Sequence, residues 1–418
     1  MDKFIISGGN TLSGEVAISG AKNAVLPIMA ACIVRPAIYT IRNVPNLRDT
    51  RTMIKLLEES GANVTFNENV LVVDSLKCDK PIAPYELVKT MRASFYMLGP
   101  FMARFGKSIV SLPGGCAWGP RPVNFHIKAL EEMGANVQLK DGNIICSGKL
   151  RGTNIKFEKK SVGATGNIIM AAVGATGETI ISNAACEPEI EDLCNFISML
   201  GVEIKGVGTD ELIIKPLEFN VNNEIEYSII PDRIEAATFM ILSVIANGDI
   251  LLKNINVKHL DIVISYLKSA GAIIDVIDNS SLRIKRGCDI SPVDIETKEY
   301  PGFPTDIQAQ WMALMCLAKG KSTIKENIYS DRFTHVSELS RFGASITVEG
   351  DTAYIDGVES FRAAPVMSTD IRASASLILA ALSCSGESSI SRIYHIDRGY
   401  ENIERKIVEL GGAIKRLK

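Results

Sequence analysis

Cys116 follows a double glycine in the stretch Ser-Leu-Pro-Gly-Gly-Cys-Ala-Trp-Gly-Pro-Arg, residues 111–121, and Arg121 comes five positions later. Glycines allow the backbone to approach a ligand closely, and a thiol beside cationic groups has a chemically available proton. The stretch therefore reads as a thiol-bearing lid, with Arg121 opening the helix that follows. Cys116 and His126 invite comparison with a cysteine–histidine protease pair, but ten residues of separation carry no geometric information.

A second set of residues is suited to binding anions. Arg48, Arg121, Arg332 and Arg398 recur in comparable connections along the chain, with His126 and His395 close by. A guanidinium grips carboxylate or phosphate with two parallel hydrogen bonds, although a solvated loop arginine is the plain alternative at any one position. Polar residues also precede six apolar runs: Lys22 and Asn23, Arg92, Ser161 with Val162 and Gly163, Asp232 with Arg233, Asp306, and Asp370 with Arg372. Each is readable as a helix cap. Six helix N-termini facing related directions would also concentrate positive dipole ends where an anion binds.

The elements that hold these residues repeat. Glycine followed by small or apolar residues recurs at Gly61, Gly134, Gly201, Gly271, Gly343 and Gly412, at intervals of 73, 67, 70, 72 and 69 residues. Each marker ends an amphipathic run and leads into a β-rich segment, which suits glycine at the left-handed position closing a helix. Upstream lie a short strand and a more apolar helix, so one unit reads buried helix, strand, surface helix, strand, strand. Near-constant spacing means duplicated units. The second unit is longer: Leu112 to Gly134 spans 22 residues where Asn43 to Gly61 spans 18, and the excess is the Cys116 loop.

Three units per lobe predict two lobes, the first over 21–229 and the second over 1–20 plus 230–418, broken at Ser228–Arg233. The opening ~20 residues are expected to pair with the second lobe. A chain of 418 residues with 46 % hydrophobic content, 22 % charge and a net charge of −3 is a globular α/β protein. The absence of a basic excess argues against nucleic acid as partner. No run reaches the ~18 apolar residues of a membrane span, and no membrane association is expected. Nine scattered cysteines without a C-x-x-C pair read as reduced thiols of the cytoplasm. The four histidines lack metal-ligand spacing, and phosphate-loop, dinucleotide and serine-elbow motifs are absent, so neither metal nor cofactor is expected.

The segments Ser19–Ala31, Val88–Ser94, Leu112–His126, Ser161–Ala171, Tyr300–Gln310 and Tyr394–Glu404 together resemble the enolpyruvyl transferase family, in the branch acting on a UDP-sugar. The resemblance covers essentially the whole chain. It implies a two-lobed inside-out α/β barrel of six βαβαββ repeats, sheets outside and helices within, in a monomeric enzyme. It also implies transfer of enolpyruvyl from phosphoenolpyruvate to the 3′-hydroxyl of UDP-N-acetylglucosamine, the first committed step of peptidoglycan precursor synthesis, and sensitivity of Cys116 to fosfomycin. Lys22, Asn23, Arg121, Arg332, Arg372 and Arg398 would surround phosphoenolpyruvate, with Asp370 among the substrate-binding residues. Arg92, Arg121, Pro122, Val123, Asn124, Phe125, Lys159, Ser161, Val162, Asp306 and Ile328 would meet the UDP-sugar. Cys116 would be the general acid and Asp306 the base, with Lys22 and Arg398 completing the catalytic set. Asn124 stands where the family usually has aspartate, and Phe95 where tryptophan is common. A non-catalytic nucleotide-sugar binder, a repeat scaffold, and an enzyme acting on shikimate 3-phosphate are the alternatives.

Overall fold

Six helices are apolar nearly all round and are buried accordingly: Lys22–Ala31, Leu98–Phe105, Val162–Ala172, Arg233–Ile245, Gln308–Met315 and Ala373–Ser383. A helix without a polar face has no stable place except an interior. The computed structural model describes residues 2–112, 123–216, 223–287, 289–329 and 331–418. Cys116, Arg121 and Pro122, and with them the expected lid, lie outside the described residues.

Each buried helix is paired with a four-stranded sheet, six such sheets among the described residues. A short leading strand runs parallel to the strand after the buried helix, and that strand then pairs antiparallel with a hairpin partner. In the third repeat these are Asn154–Lys156, Thr179–Ser182, Glu211–Pro216 and Val202–Lys205. The parallel pair requires a crossover, which the buried helix supplies in the second, third, fifth and sixth repeats. The six βαβαββ repeats are thus present. The leading strands leave little trace in the residue pattern, because some are as short as Ile82–Ala83 and Ile295–Glu296, too short to show a period.

The glycine markers behave as expected, with one correction. Gly61, Gly134, Gly201, Gly271 and Gly343 take φ between 75° and 98° after their surface helices. In the sixth repeat the left-handed residue is Gly411, at 89°, rather than Gly412. The Gly411–Gly412 doublet made both positions fit the pattern.

The chain divides into two compact units, Gly20–Ile230 and Met1–Ser19 with Pro231–Lys418; each has its own apolar core. The N-terminal residues belong to the second unit twice over. Lys3–Gly8 sits between Gly386–Ser391 and Ala413–Leu417, completing the sixth sheet, and Ser13–Ala17 is the leading strand beside Asp249–Lys253. Reciprocally, Glu224–Ser228 leads the first sheet beside Ile38–Arg42.

A repeated side chain ties the leading strands down. Asn43, Asn183 and Asn254 each follow the second strand of their sheet in left-handed conformation. Their amides donate to Ile229, Phe157 and Ile18 carbonyls at 2.9, 3.0 and 2.6 Å, each just past the leading strand. Asparagine is the side chain that best tolerates this backbone region while bonding locally.

Candidate active site

In the second unit the three buried helices begin beside one another, joined by charge. The Arg372 guanidinium lies 4.0 Å from Asp232 and 3.5 Å from Asp306, which brings the starts of the fourth, fifth and sixth buried helices together. The other oxygen of Asp306 accepts from Arg332 at 2.8 Å. Asp306 therefore bridges two guanidiniums whose side chains are only 12 % and 6 % exposed. Burial works against the charge of both. For Arg332 the nearby Asp306 carboxylate outweighs it, and for Arg372 Asp232 and then Asp306 do, so both pKa values are raised. Both arginines stay cationic, and the site pairs permanent positive charge with a carboxylate.

The cap reading of the polar helix starts is also correct for several residues. Asp232 accepts from the Ile234 and Glu235 amides, and Asp370 from those of Arg372 and Ala373. Ser161 accepts from Ala164 at 3.3 Å. Arg372 also reaches the Gly399 carbonyl at 3.5 Å and lies 5.5 Å from the centre of the Tyr400 ring. That ring hydroxyl meets Thr238 and Gln310 in a buried network. Arg398 is half-buried at the end of Ile393–Arg398, next to Gly399. Ile328 is half-buried, and its amide donates to Glu326.

In the first unit, Lys22 opens its buried helix with the ammonium 3.0 Å from Asp49, which is 3 % exposed. Asp49 lies in the first turn of Arg48–Glu59, so the surface helix of this repeat fixes the lysine. Asn23 is half-buried beside it, while Arg48 is exposed.

The remaining candidates of this unit come from the segments at Arg92, Val123–Phe125 and Lys159–Val162. The surface helix runs over Asn124–Glu132. Asn124 is exposed, Val123 and Phe125 are half-buried, and the Phe125 ring packs edge-on against Phe157 at 6.4 Å. His126 turns inward. Its Nδ1 meets the Asn167 amide at 2.8 Å, and its ring packs against Phe95 at 5.7 Å. Burial, and then the charge of Arg92, push the imidazole down to about 4. Asn167 also bonds the Phe95 carbonyl and the Gly99 amide, at 2.9 and 2.8 Å. Helix Asn124–Glu132 is thereby locked to the buried helix that begins at Val162, after exposed Lys159 and half-buried Ser161. Phe95 serves this packing, which needs a ring and no indole.

The seven described cysteines, Cys32, Cys78, Cys146, Cys186, Cys194, Cys316 and Cys384, are buried and without disulfides. Burial raises every one of these thiols. They are packing residues, as their apolar neighbours implied.

Comparison with known proteins agrees with this architecture. The family model described as EPSP synthase (3-phosphoshikimate 1-carboxyvinyltransferase) matches residues 6–407. The chain belongs to that enolpyruvyl transferase family. Within the family, it is 52 % identical over 418 residues, all of both chains, to the UDP-N-acetylglucosamine 1-carboxyvinyltransferase of Geotalea uraniireducens. It is 50 % identical to the protein of that name from Geobacter metallireducens, again over the whole of both chains. Among solved structures, the enolpyruvyl transferase NikO from Streptomyces tendae superposes with a TM-score of 0.90 at 23 % identity, over 99 % of this chain and 98 % of that one. EPSP synthase from Acinetobacter baumannii superposes at 0.77 and 18 % identity over all of both chains. At those identities the likeness is one of fold.

Several residues of this family member that support the site were not evident from sequence: Asp49, Thr305, Glu326 and Asn167. Only Glu326 left a signal. It occupies the strand-end position where repeats one, three and four carry asparagine.

Proposed function

We propose that this protein transfers the enolpyruvyl group of phosphoenolpyruvate to the 3′-hydroxyl of UDP-N-acetylglucosamine, releasing phosphate, in the cytoplasmic supply of peptidoglycan precursors. The observation that carries this reading is identity at half of all positions, end to end, with relatives bearing that enzyme's name. The Asp306–Arg332–Arg372 cluster supports it.

The donor brings a carboxylate and a phosphate, and needs several cations. Lys22 with its sequence neighbour Asn23 in the first unit, and Arg332, Arg372 and Arg398 in the second, are the described candidates, with Arg121 from the loop. C2 of phosphoenolpyruvate becomes electrophilic once C3 is protonated, and Cys116 is proposed as that acid. The sugar hydroxyl then adds to C2 while Asp306 takes its proton. Loss of the C3 proton and of phosphate from the tetrahedral adduct restores the double bond as an enolpyruvyl ether. Acid and base assistance of this kind is worth about 10²–10⁴-fold each, and cations at the departing phosphate add electrostatic stabilisation. Asp306 suits the base role because two guanidiniums hold its carboxylate in place. Arg92, Val123, Asn124, Phe125, Lys159, Ser161, Val162 and Ile328 are proposed to receive the nucleotide-sugar, with Pro122 from the loop and Asp370 capping the helix behind. The chemistry requires no metal or organic cofactor.

Phosphate release should require both substrates together. The family model's name makes shikimate 3-phosphate the competing acceptor. Turnover with UDP-N-acetylglucosamine and not with shikimate 3-phosphate is the expected result; the reverse, or no phosphate released from either, overturns the proposal.

A further inference from the structure

We propose that Glu326 is a positioning residue that aligns the Arg332 guanidinium and the Ile328–Tyr329 backbone together, so that one buried carboxylate serves the donor and acceptor sides of the site. The inference rests on the proposed function for the identity of those two sides. Its geometry lies wholly within the second unit.

Glu326 is 2 % exposed, yet no arginine or lysine forms an ion pair with it among the described residues. Its charge is met by hydrogen bonds. Oε1 accepts from the Thr297 hydroxyl at 2.8 Å and from the Ile328 and Tyr329 amides at 2.9 and 3.0 Å. Oε2 accepts from the Thr305 hydroxyl at 2.8 Å. Because a carboxylate only accepts, the Thr305 proton must point at Glu326. The lone pairs of Thr305 are then turned to Arg332, whose other nitrogen reaches Asp306; both contacts are 2.8 Å. Bonds to an ionised acceptor are among the strong ones, and the relay fixes a long side chain at both terminal nitrogens.

The repeats supply an internal control. At this strand end Asn43, Asn183 and Asn254 commit their amides to the leading strand. In the fifth repeat Asn327 does so instead, donating to the Thr297 carbonyl at 3.1 Å. The amide bond has moved one residue along, which leaves the Glu326 carboxylate for the Thr297 and Thr305 hydroxyls and for the turn. A residue serving only the fold would not need this change.

Thr305→Val separates the two arms, since it cuts the link to Arg332 and leaves the bonds to Thr297 and the turn. It should lower kcat/KM for phosphoenolpyruvate roughly ten- to a hundred-fold. Binding of UDP-N-acetylglucosamine alone, followed by titration calorimetry, should change by less than about threefold. Thr305→Ser should restore the donor kinetics, whereas Glu326→Gln should weaken both substrates. Crystals of Thr305→Val should show the Arg332 guanidinium displaced from Asp306. Wild-type turnover with unchanged Thr305→Val kinetics, or Thr305→Ser as impaired as the valine variant, overturns the inference. Absence of wild-type turnover overturns the proposed function instead, and an unmoved Arg332 in the crystals then overturns this inference separately.

Discussion

Asp306 has two duties that substitution separates. It balances Arg332 and Arg372, and it is the proposed base. Asp306→Asn should lower kcat by about 10²–10⁴-fold while UDP-sugar affinity is kept; steady-state rates beside calorimetric titration check this, and unaltered turnover removes the base role. Loss of charged hydrogen bonds should also cost about 1.5–3 kcal/mol in urea unfolding. His126 makes a prediction in pH. Its native pKa of about 4 lies below the ordinary value of 6.5, so between those limits the unfolded chain binds a proton that the native chain refuses. Its contribution is whole above pH 6.5 and declines as pH falls, reaching a loss of about 3 kcal/mol near pH 4. Proton NMR of this imidazole should show no titration above pH 5, and a midpoint near 6.5 would contradict the buried contact with Asn167. Sequence pointed to Asp306 and Arg332 by their places in the repeat. It did not point to Asp49, 27 residues from Lys22, or to Thr305, 21 residues from Glu326 and 27 from Arg332.

Among the elements, the strand-end asparagines allow a graded test. Asn254→Gly should lose only the amide bond to Ile18, costing about 1 kcal/mol. Asn254→Ala should also incur the left-handed backbone penalty of about 1–2 kcal/mol. Chemical denaturation of both variants measures the difference, and equal stabilities would show that the backbone conformation is not constraining. Gly99 is less forgiving. An added Cβ would sit 2.2 Å from the Asn167 carbonyl oxygen, so Gly99→Ala must push a pair of buried helices apart. Its melting temperature should fall well below that of Asn254→Gly. The helices and glycine stops were legible because apolar periodicity and left-handed closure are local. The leading strands and the Gly411 assignment were not, because a two-residue strand has no period and a glycine doublet no preferred member.

For the whole molecule, the exchange of leading strands makes the two units unequal as fragments. Residues 20–230 contain every strand of their three sheets and should melt cooperatively when expressed alone. Residues 231–418 lack the strands Lys3–Gly8 and Ser13–Ala17, and the core side chains Phe4, Ile6, Leu12, Val16 and Ile18 in and beside them. That fragment should not melt cooperatively until a peptide of residues 1–19 is added. Circular dichroism melts decide the matter, and independent folding of 231–418 would show the N-terminal strands to be dispensable. Within the intact chain they are held by a buried pair: Lys406 reaches both Glu235 and Ser19 at 2.7 Å, and the Ser19 amide donates to Glu235 at 2.7 Å.

By itself the sequence determined the six-fold repetition, the buried and surface helices and the positions at which unusual residues depart from the repeat. Those properties follow from apolar period, glycine conformation and spacing, all local in the chain. Tertiary structure decided which charges meet. Asp232, Asp306 and Arg372 are separated by dozens of residues and come together only because three buried helices start side by side. Only packing could make Glu326 an organiser of its neighbours, since its duty depends on hydroxyls and amides drawn from three segments of the chain.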